Sequence, residues 1–511
     1  MPEQLPDTPT AEIQTGVGIF FTMLTLVSTR IGGGLVGIPA ATDVIGFFFA
    51  LCFQICFIPV GVLSIWMLIQ ARKISGKASL SDLGIYCYGN LSIYIINFMV
   101  AVAQLGFTIV FYIVFGDVFG NLMKGMGASE HSFWTSRWFT QSVLACILIY
   151  FNLKKQIQSN ELRYIGIGIL VLCILFVIIF WIHFLAKDHN PDPPADLFRT
   201  KINVKFFSGI PTFIASYAFQ ISFFTAFANM KYQKTRNGQL ADLFGRLVIF
   251  SVYTSIPFIA YSIYGDNMKT NLLKTVVSDK SAFAYVLQSI FLLVSIMAIP
   301  PNFFIGKEAV LIIFDEITRR SYSQHNTRML RRKIKADKKK LIKTINNSEP
   351  SMSSSRDDGS IVDVGSMDLT EASTDIEIVL PPEPDPCEYM TMRPVFYYTI
   401  VLSLHALTTF LAIYVGDIAL FTGVIGATTG CFITFIAPGS FYIICLKKNR
   451  LEAQAIAAWF FVFFGIFASI GLNVCVILSQ VWSDHYKEED GFNHSIVQGY
   501  HQTSLEKMEG V

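Results

Sequence analysis

Apolar stretches of about twenty residues alternate with short polar connections along most of the chain. This is the pattern of helices that each cross roughly 30 Å of hydrocarbon at about 1.5 Å per residue. Eleven such spans are expected, at residues 13–43, 45–70, 91–122, 138–152, 161–186, 205–230, 243–265, 281–314, 394–415, 416–446 and 453–481. The fourth is short, and the eighth is long and carries Pro300-Pro301, which predicts a kink. The first span interrupts itself. Thr22 to Gly46 reads TMLTLVSTRIGGGLVGIPAATDVIG, with an arginine and three consecutive glycines where a membrane helix is most regular. Unpaired amides and carbonyls facing lipid cost several kcal/mol each, so irregular backbone at that depth must be buried in protein or line a cavity. Ile31-Gly32-Gly33-Gly34 therefore predicts a broken helix beside a pocket.

Composition agrees with the pattern. At 53% hydrophobic and 15% charged residues over 511, the chain is too apolar for an ordinary soluble protein and reads as an all-α polytopic membrane protein. No basic stretch with a small-residue cleavage site precedes the first span, so nothing reads as a removable signal peptide. A net charge of +2 gives no reason to expect nucleic acid as a partner; the placement of the cations sets orientation instead. Alternate loops are basic, with Arg72, Lys73 and Lys77, then Lys154, Lys155 and Arg163, then Lys231, Lys234, Arg236 and Arg246, then Lys447, Lys448 and Arg450. That puts the N-terminus in the cytoplasm and, with an odd number of spans, the C-terminus outside, where Asn493-His494-Ser495 is a glycosylation sequon.

The expected organisation is a cytoplasmic tail at 1–12, helices one to eight at 13–317, a cytoplasmic loop at 318–392, helices nine to eleven at 393–481, and an outer or lumenal tail at 482–511. The loop divides in two. Its first part is a basic helix former suited to anionic lipid, and residues 348–386 are Ser, Asp, Glu and Pro-rich with too little apolar surface to fold. Ser354, Ser355 and Ser373 lie close to acidic residues, so the loop is either a solvated linker or a site for a kinase or regulatory partner. Of nine cysteines, eight lie in or beside spans, at spacings that match no zinc or redox motif, and read as small apolar fillers.

Three stretches resemble a known family. Gly32-Gly33-Gly34-Leu35-Val36-Gly37-Ile38-Pro39 looks like a G-S-G-I-L-G-L/I-P run. Pro211 to Gln220 (PTFIASYAFQ) resembles a P-x-x-x-F-A-F-x pattern, and Tyr261 to Asp266 follows it as G-Y-x-x-F/Y-G does. Gly423-Val424-Ile425-Gly426-Ala427-Thr428-Thr429, running on to Pro438-Gly439-Ser440-Phe441-Tyr442, is similar to G-x-x-G-A-T followed by P-x-x-F-Y. In this order they resemble the eukaryotic amino acid/auxin permease family, which holds neutral and proton-coupled amino acid transporters within the amino acid, polyamine and organocation superfamily. The resemblance implies a five-plus-five inverted repeat (LeuT-type) with an added eleventh helix, and unwound helices 1 and 6. It implies a small amino acid as substrate, bound by Ile31, Gly32, Gly33 and Gly34 on one helix and by Ser216, Tyr217, Phe219 and Gln220 on the other, with Arg30, just before the glycines, as a candidate of this chain's own. Half-helix N-termini suit a carboxylate and freed carbonyls suit an ammonium group, so a zwitterion uses both.

Two departures from the sodium-coupled members bear on the coupling ion. Ser28 stands where they have an Asn, and Met297-Ala298-Ile299 offers no hydroxyl where they have a Thr. Proton coupling or exchange is therefore expected over sodium symport, with no cofactor and no resident metal. Coupling candidates are Ser28, His405 near the middle of span nine, which titrates in a useful range, and Asp117 towards the outer end of span three. Arg30 is a further departure, since a cation at helix centre costs at least about 2.5 kcal/mol and needs a partner. Three roles fit it: a bidentate fork for a substrate carboxylate, a permanent cation where sodium would otherwise bind, or a pair with carbonyls of the broken helix or with an intramembrane acid. No Walker loop, zinc-ligand helix or nucleophile elbow is present, so an enzyme is not expected. The rival to a transporter is a non-transporting amino acid sensor of the same fold. Either would sit in the plasma membrane or in a vacuolar or lysosomal membrane.

Overall fold

The computed structural model describes residues 18–77, 79–129, 131–155, 159–186, 202–264, 281–321, 392–415, 418–446 and 453–508, with Leu272 and Val276. Apart from short turns, regular structure among these is helical. The helices are α1 Ile19–Ser28, α2 Ile31–Ile45, α3 Phe47–Ser75, α4 Leu80–Tyr88, α5 Leu91–Gly125, α6 Arg137–Leu153, α7 Ser159–Ala186, α8 Val204–Ser216, α9 Gln220–Ala228 and α10 Thr235–Tyr264. They continue with α11 Ala282–Arg319, α12 Pro394–Val415, α13 Ile418–Ile425, α14 Ala437–Cys445 and α15 Ala453–Met508. Between α13 and α14 the backbone winds as two π-helical turns, Gly426–Gly430 and Phe432–Ile436.

Local chemistry explains several ends. The Ser79 hydroxyl accepts from the Asp82 amide at 3.0 Å to start α4, and the Asn203 side chain accepts from the Phe206 amide at 3.0 Å to start α8. The end of α3 is a left-handed Gly76 (φ 68°) whose amide reaches the Arg72 carbonyl at 2.8 Å. Pro300-Pro301 lie within α11, which is assigned as one continuous helix.

Nine helical stretches among the described residues are long and apolar enough to cross a membrane by length and composition. Two expected spans are not among them, for identifiable reasons. Span one is divided into pieces of 10 and 15 residues. Span four is the 17-residue α6, which at about 1.5 Å per residue is a little short of a full crossing. Burial sorts the rest: α5 and the α8–α9 stretch are mostly enclosed, while α7, α12 and α15 turn large apolar side chains such as Leu185, Tyr414 and Phe467 outward. That is how a bundle dissolved in hydrocarbon is built, since outward Leu and Phe lose nothing in lipid.

Contacts divide the chain into two units, Met1–Leu311 with Arg393–Val511, and Ile312–Met392. Within the second, Arg319 pairs with Asp315 one helical turn earlier. Residues 322–391 of the expected loop, with Ser354, Ser355 and Ser373, lie outside the described residues.

Candidate functional site

The first interruption lies at Thr29-Arg30, between α1 and α2. The Thr29 amide still reaches the Thr25 carbonyl at 3.3 Å, but the Arg30 amide turns to the Val27 carbonyl at 3.1 Å, and the regular ladder stops. The Arg30 carbonyl accepts instead from the Tyr253 hydroxyl of α10 at 2.8 Å, with the Ile31 carbonyl at 3.4 Å from the same oxygen. The three glycines were expected to be the unwound segment. They lie just after it, in the first turns of α2. Gly34 is bare for another reason: a methyl there would overlap the Tyr253 ring and hydroxyl.

Arg30 itself is buried, at 7% exposure. One guanidinium nitrogen lies 3.4 Å from the Ser222 hydroxyl of α9, while its Nε has no hydrogen-bond partner and its charge no carboxylate among the described residues. Next to it lies the N-terminus of α2, where a helix leaves its first amides without intrahelical acceptors; the Gly34 amide is met by the Tyr253 hydroxyl. A desolvated guanidinium beside a helix N-terminus is a ready anion site.

The second interruption, Tyr217-Ala218-Phe219 between α8 and α9, is narrower than the expected Pro211 to Gln220, because Pro211 sits inside α8. Here the Tyr217 carbonyl accepts from Arg246 Nη1 at 2.9 Å, and the Phe219 ring lies 4.7 Å beneath the same guanidinium. Arg246 also donates from Nε to Asp242 Oδ2 at 2.8 Å, and both side chains are wholly buried. Gly61 of α3 leaves room for this guanidinium, which a methyl would overlap. The Tyr217 hydroxyl donates to Gln54 Oε1 at 3.0 Å, and Gln220 Nε2 donates to the Ser64 hydroxyl at 3.0 Å, which donates in turn to the Thr434 carbonyl at 2.7 Å beside the π-helical turns. Ser216 is turned back on its own helix, donating to the Thr212 carbonyl at 2.8 Å.

The two interruptions meet. α2 packs along α8 and α1 against α9 and α10, and the Tyr217 ring stands edge-on to Tyr253 at 6.0 Å. Arg246 and Tyr253 are seven residues apart, two turns along one face of α10, so a single helix holds a freed carbonyl from each interruption.

The family of transmembrane amino acid transporter proteins matches residues 16–478. The chain belongs to that family. It is also similar to the amino acid transporter AVT6E of Arabidopsis thaliana, 18% identical over 308 residues that cover 58% of this chain and 63% of that protein. The match thus spans a little under two thirds of the relative. Family and fold together make this a multi-pass integral membrane protein of a transporter family, not an enzyme.

Within this member of the family, the other sequence candidates divide. Ser28 is buried and donates to the Thr25 carbonyl at 3.0 Å. It faces Gly166 of α7, two residues from Gly168, which faces the Met297 methyl, so the two departures from the sodium-coupled pattern line the same stretch of α7. His405 is clasped away from the interruptions, Nδ1 3.1 Å from Asn152 Nδ2 and Nε2 3.2 Å from the Ala145 carbonyl, an arrangement satisfied by a neutral ring with its proton on Nε2. Asp117 pairs with Arg137 at 2.6 Å, joining α5 to the start of α6.

Sequence reasoning missed Tyr253, Ser222, Gln54 and the Asp242–Arg246 pair. Arg246 was counted among the loop cations, whereas α10 begins at Thr235 and buries it. The i, i+4 spacing of Asp242 and Arg246 was the signal that an acid and a base enter the membrane together.

Proposed function

We propose that the protein is a secondary active transporter of small amino acids working by alternating access, coupled to protons or exchanging substrates rather than coupled to sodium. The observation that carries this reading is the crossing of two interrupted helices around Arg30, a buried cation with no carboxylate partner among the described residues. In this reading the substrate carboxylate binds Arg30 and the amides of Ile31, Gly32, Gly33 and Gly34, and the ammonium group binds carbonyls freed in the second interruption, near Ser216, Tyr217, Phe219 and Gln220. The 10- and 15-residue halves of span one and the short α6 bring the crossings to eleven, with the N-terminus cytoplasmic, helices 1 and 6 as the unwound pair of a LeuT-type inverted repeat, and 318–392 as an inner loop open to a kinase or regulatory partner. The family and the relative support amino acids as the substrate class. Ser28 bonded to its own helix, with the Met297 methyl against the same stretch of α7, supports coupling without sodium.

Uptake of a labelled amino acid mixture into proteoliposomes tests this. Accumulation is expected under an inward proton gradient and is expected to survive replacement of sodium by choline. A sodium requirement at fixed pH would overturn the coupling, and saturable binding without flux in either direction would make the protein a sensor instead.

A further inference from the structure

Asp242 is the one buried carboxylate on α1, α2, α8, α9 or α10. Its Oδ2 accepts from Arg246, but its Oδ1 is buried with no hydrogen-bond partner among the described residues, and Arg246 Nη2 is likewise unpartnered. A pair kept for stability alone is expected to have both ends satisfied, because half-satisfied buried charges are costly. The orphan oxygen is also where a proton fits without breaking any bond already made. A neutral carboxyl still accepts from Arg246 Nε at Oδ2, and Arg246 keeps the Tyr217 carbonyl and the Phe219 ring.

The elements packed against α10 are α1, α2, α3 and α7. Their acids lie elsewhere: Asp43 accepts from Tyr261, and Glu161 pairs with Lys154. Of their bases, Arg72 donates to Gln233 and His183 stacks on Phe283, while Arg30 is joined to Arg246 through the Tyr253–Tyr217 ring pair, Tyr253 bonding the Arg30 carbonyl and Arg246 the Tyr217 carbonyl. Tyr217, Tyr253 and Cys173 are further buried titratable groups on these elements and their neighbours.

We infer that Asp242 is the proton-binding residue that couples a proton to the substrate carboxylate, through Arg246 and the neighbouring Arg30. The inference rests on the reading that a carboxylate enters at Arg30. Arg30, Arg246 and an ionised Asp242 sum to one positive charge; a proton on Asp242 makes it two, and a carboxylate arriving at Arg30 is held more tightly. By linkage the carboxylate raises the proton affinity of Asp242 by the same factor. Substrate affinity therefore rises as pH falls, by at most about tenfold per pH unit for one linked proton.

The test measures the dissociation constant of the transported amino acid across pH, and proton uptake on binding in weak buffer, with purified wild type, Asp242→Glu and Asp242→Asn. Wild type and the glutamate variant are expected to show the pH slope and take up protons; the asparagine variant is expected to bind with a flat profile, take up none, and fail to accumulate substrate under a proton gradient. Should Asp242→Asn not fold, carbodiimide labelling of wild type decides the matter, since the reagent attacks protonated carboxyls in apolar surroundings. Label at Asp242 that rises as pH falls and rises further with substrate supports the inference, and none at any pH overturns it. An asparagine variant with the wild-type pH slope would overturn it while leaving the Arg30 reading intact. No binding by wild type, or binding indifferent to Arg30→Met, would instead remove the reading beneath it.

Discussion

The two interrupted helices face each other but are closed in different ways. At Tyr217-Ala218-Phe219 the freed carbonyl is met by a full charge, Arg246, which Asp242 neutralises in turn. At Thr29-Arg30 the freed carbonyl is met by a neutral hydroxyl, Tyr253, while the interruption's own cation has, among the described residues, one long hydrogen bond, to Ser222. One interruption's cation is neutralised by a carboxylate of the protein's own, and the other's is neutralised only when an anion is added. Stability should therefore concentrate at Tyr217-Ala218-Phe219 and recognition at Thr29-Arg30, although both hang from one face of α10.

The comparison breaks most visibly at Arg246. Arg246→Met strips the cap from Tyr217 and leaves Asp242 buried without its cation, a loss expected to cost about 3–5 kcal/mol. It should appear as reduced folded yield and a lower melting midpoint in size-exclusion and thermal-melting assays, with partial recovery on adding Asp242→Asn. A normal midpoint in the single variant would mean the pair contributes little.

Arg30→Met should do the opposite. Substrate affinity is expected to fall by about 1.5–3 kcal/mol, the range for a hydrogen bond to a charged group, with Arg30→Lys in between. Melting in the absence of substrate should barely move, because little within the protein depends on the guanidinium. Binding isotherms and melting curves on the same preparations separate recognition from stability.

Tyr253→Phe removes the neutral cap alone, keeping the ring packed over Gly34, and should cost about 0.5–1.5 kcal/mol of stability with a smaller effect on affinity. Melting midpoints check it against the Arg246 variant. Smallest of all, deleting residues 345–385 should leave flux through the bundle unchanged, since that composition gives the segment no core to join; abolished flux in folded, correctly located protein would count against the linker reading.

The spans and the existence of both interruptions were legible because apolar length, Gly-Gly-Gly and an intramembrane arginine are strong local signals. Their placement was not. Glycine marks where backbone is bare, and at Gly34 it is bare to admit Tyr253 rather than to unwind. Pro211 likewise reads as a breaker but is accommodated inside α8. The start of α10 was put too late, at 243, because Asp242 reads as the edge of an apolar run, whereas Asp242 and Arg246 pair with one another inside the helix. Nothing local in the chain pairs Tyr253 with Arg30, 223 residues earlier, or brings Cys87 within 3.9 Å of Cys445; such contacts exist only after the helices pack.

The claim that the unpaired interruption recognises the substrate carboxylate is tested most directly by a ratio. For the amino acid that wild type binds best, affinity is measured against that of its decarboxylated amine, in wild type and in Arg30→Met. Wild type is expected to prefer the amino acid by about tenfold or more, and the preference should collapse towards unity in Arg30→Met, because the interaction lost with the carboxylate is the one lost with the guanidinium. A preference of the same size in both proteins would place the carboxylate elsewhere and contradict the division of labour between the two interruptions.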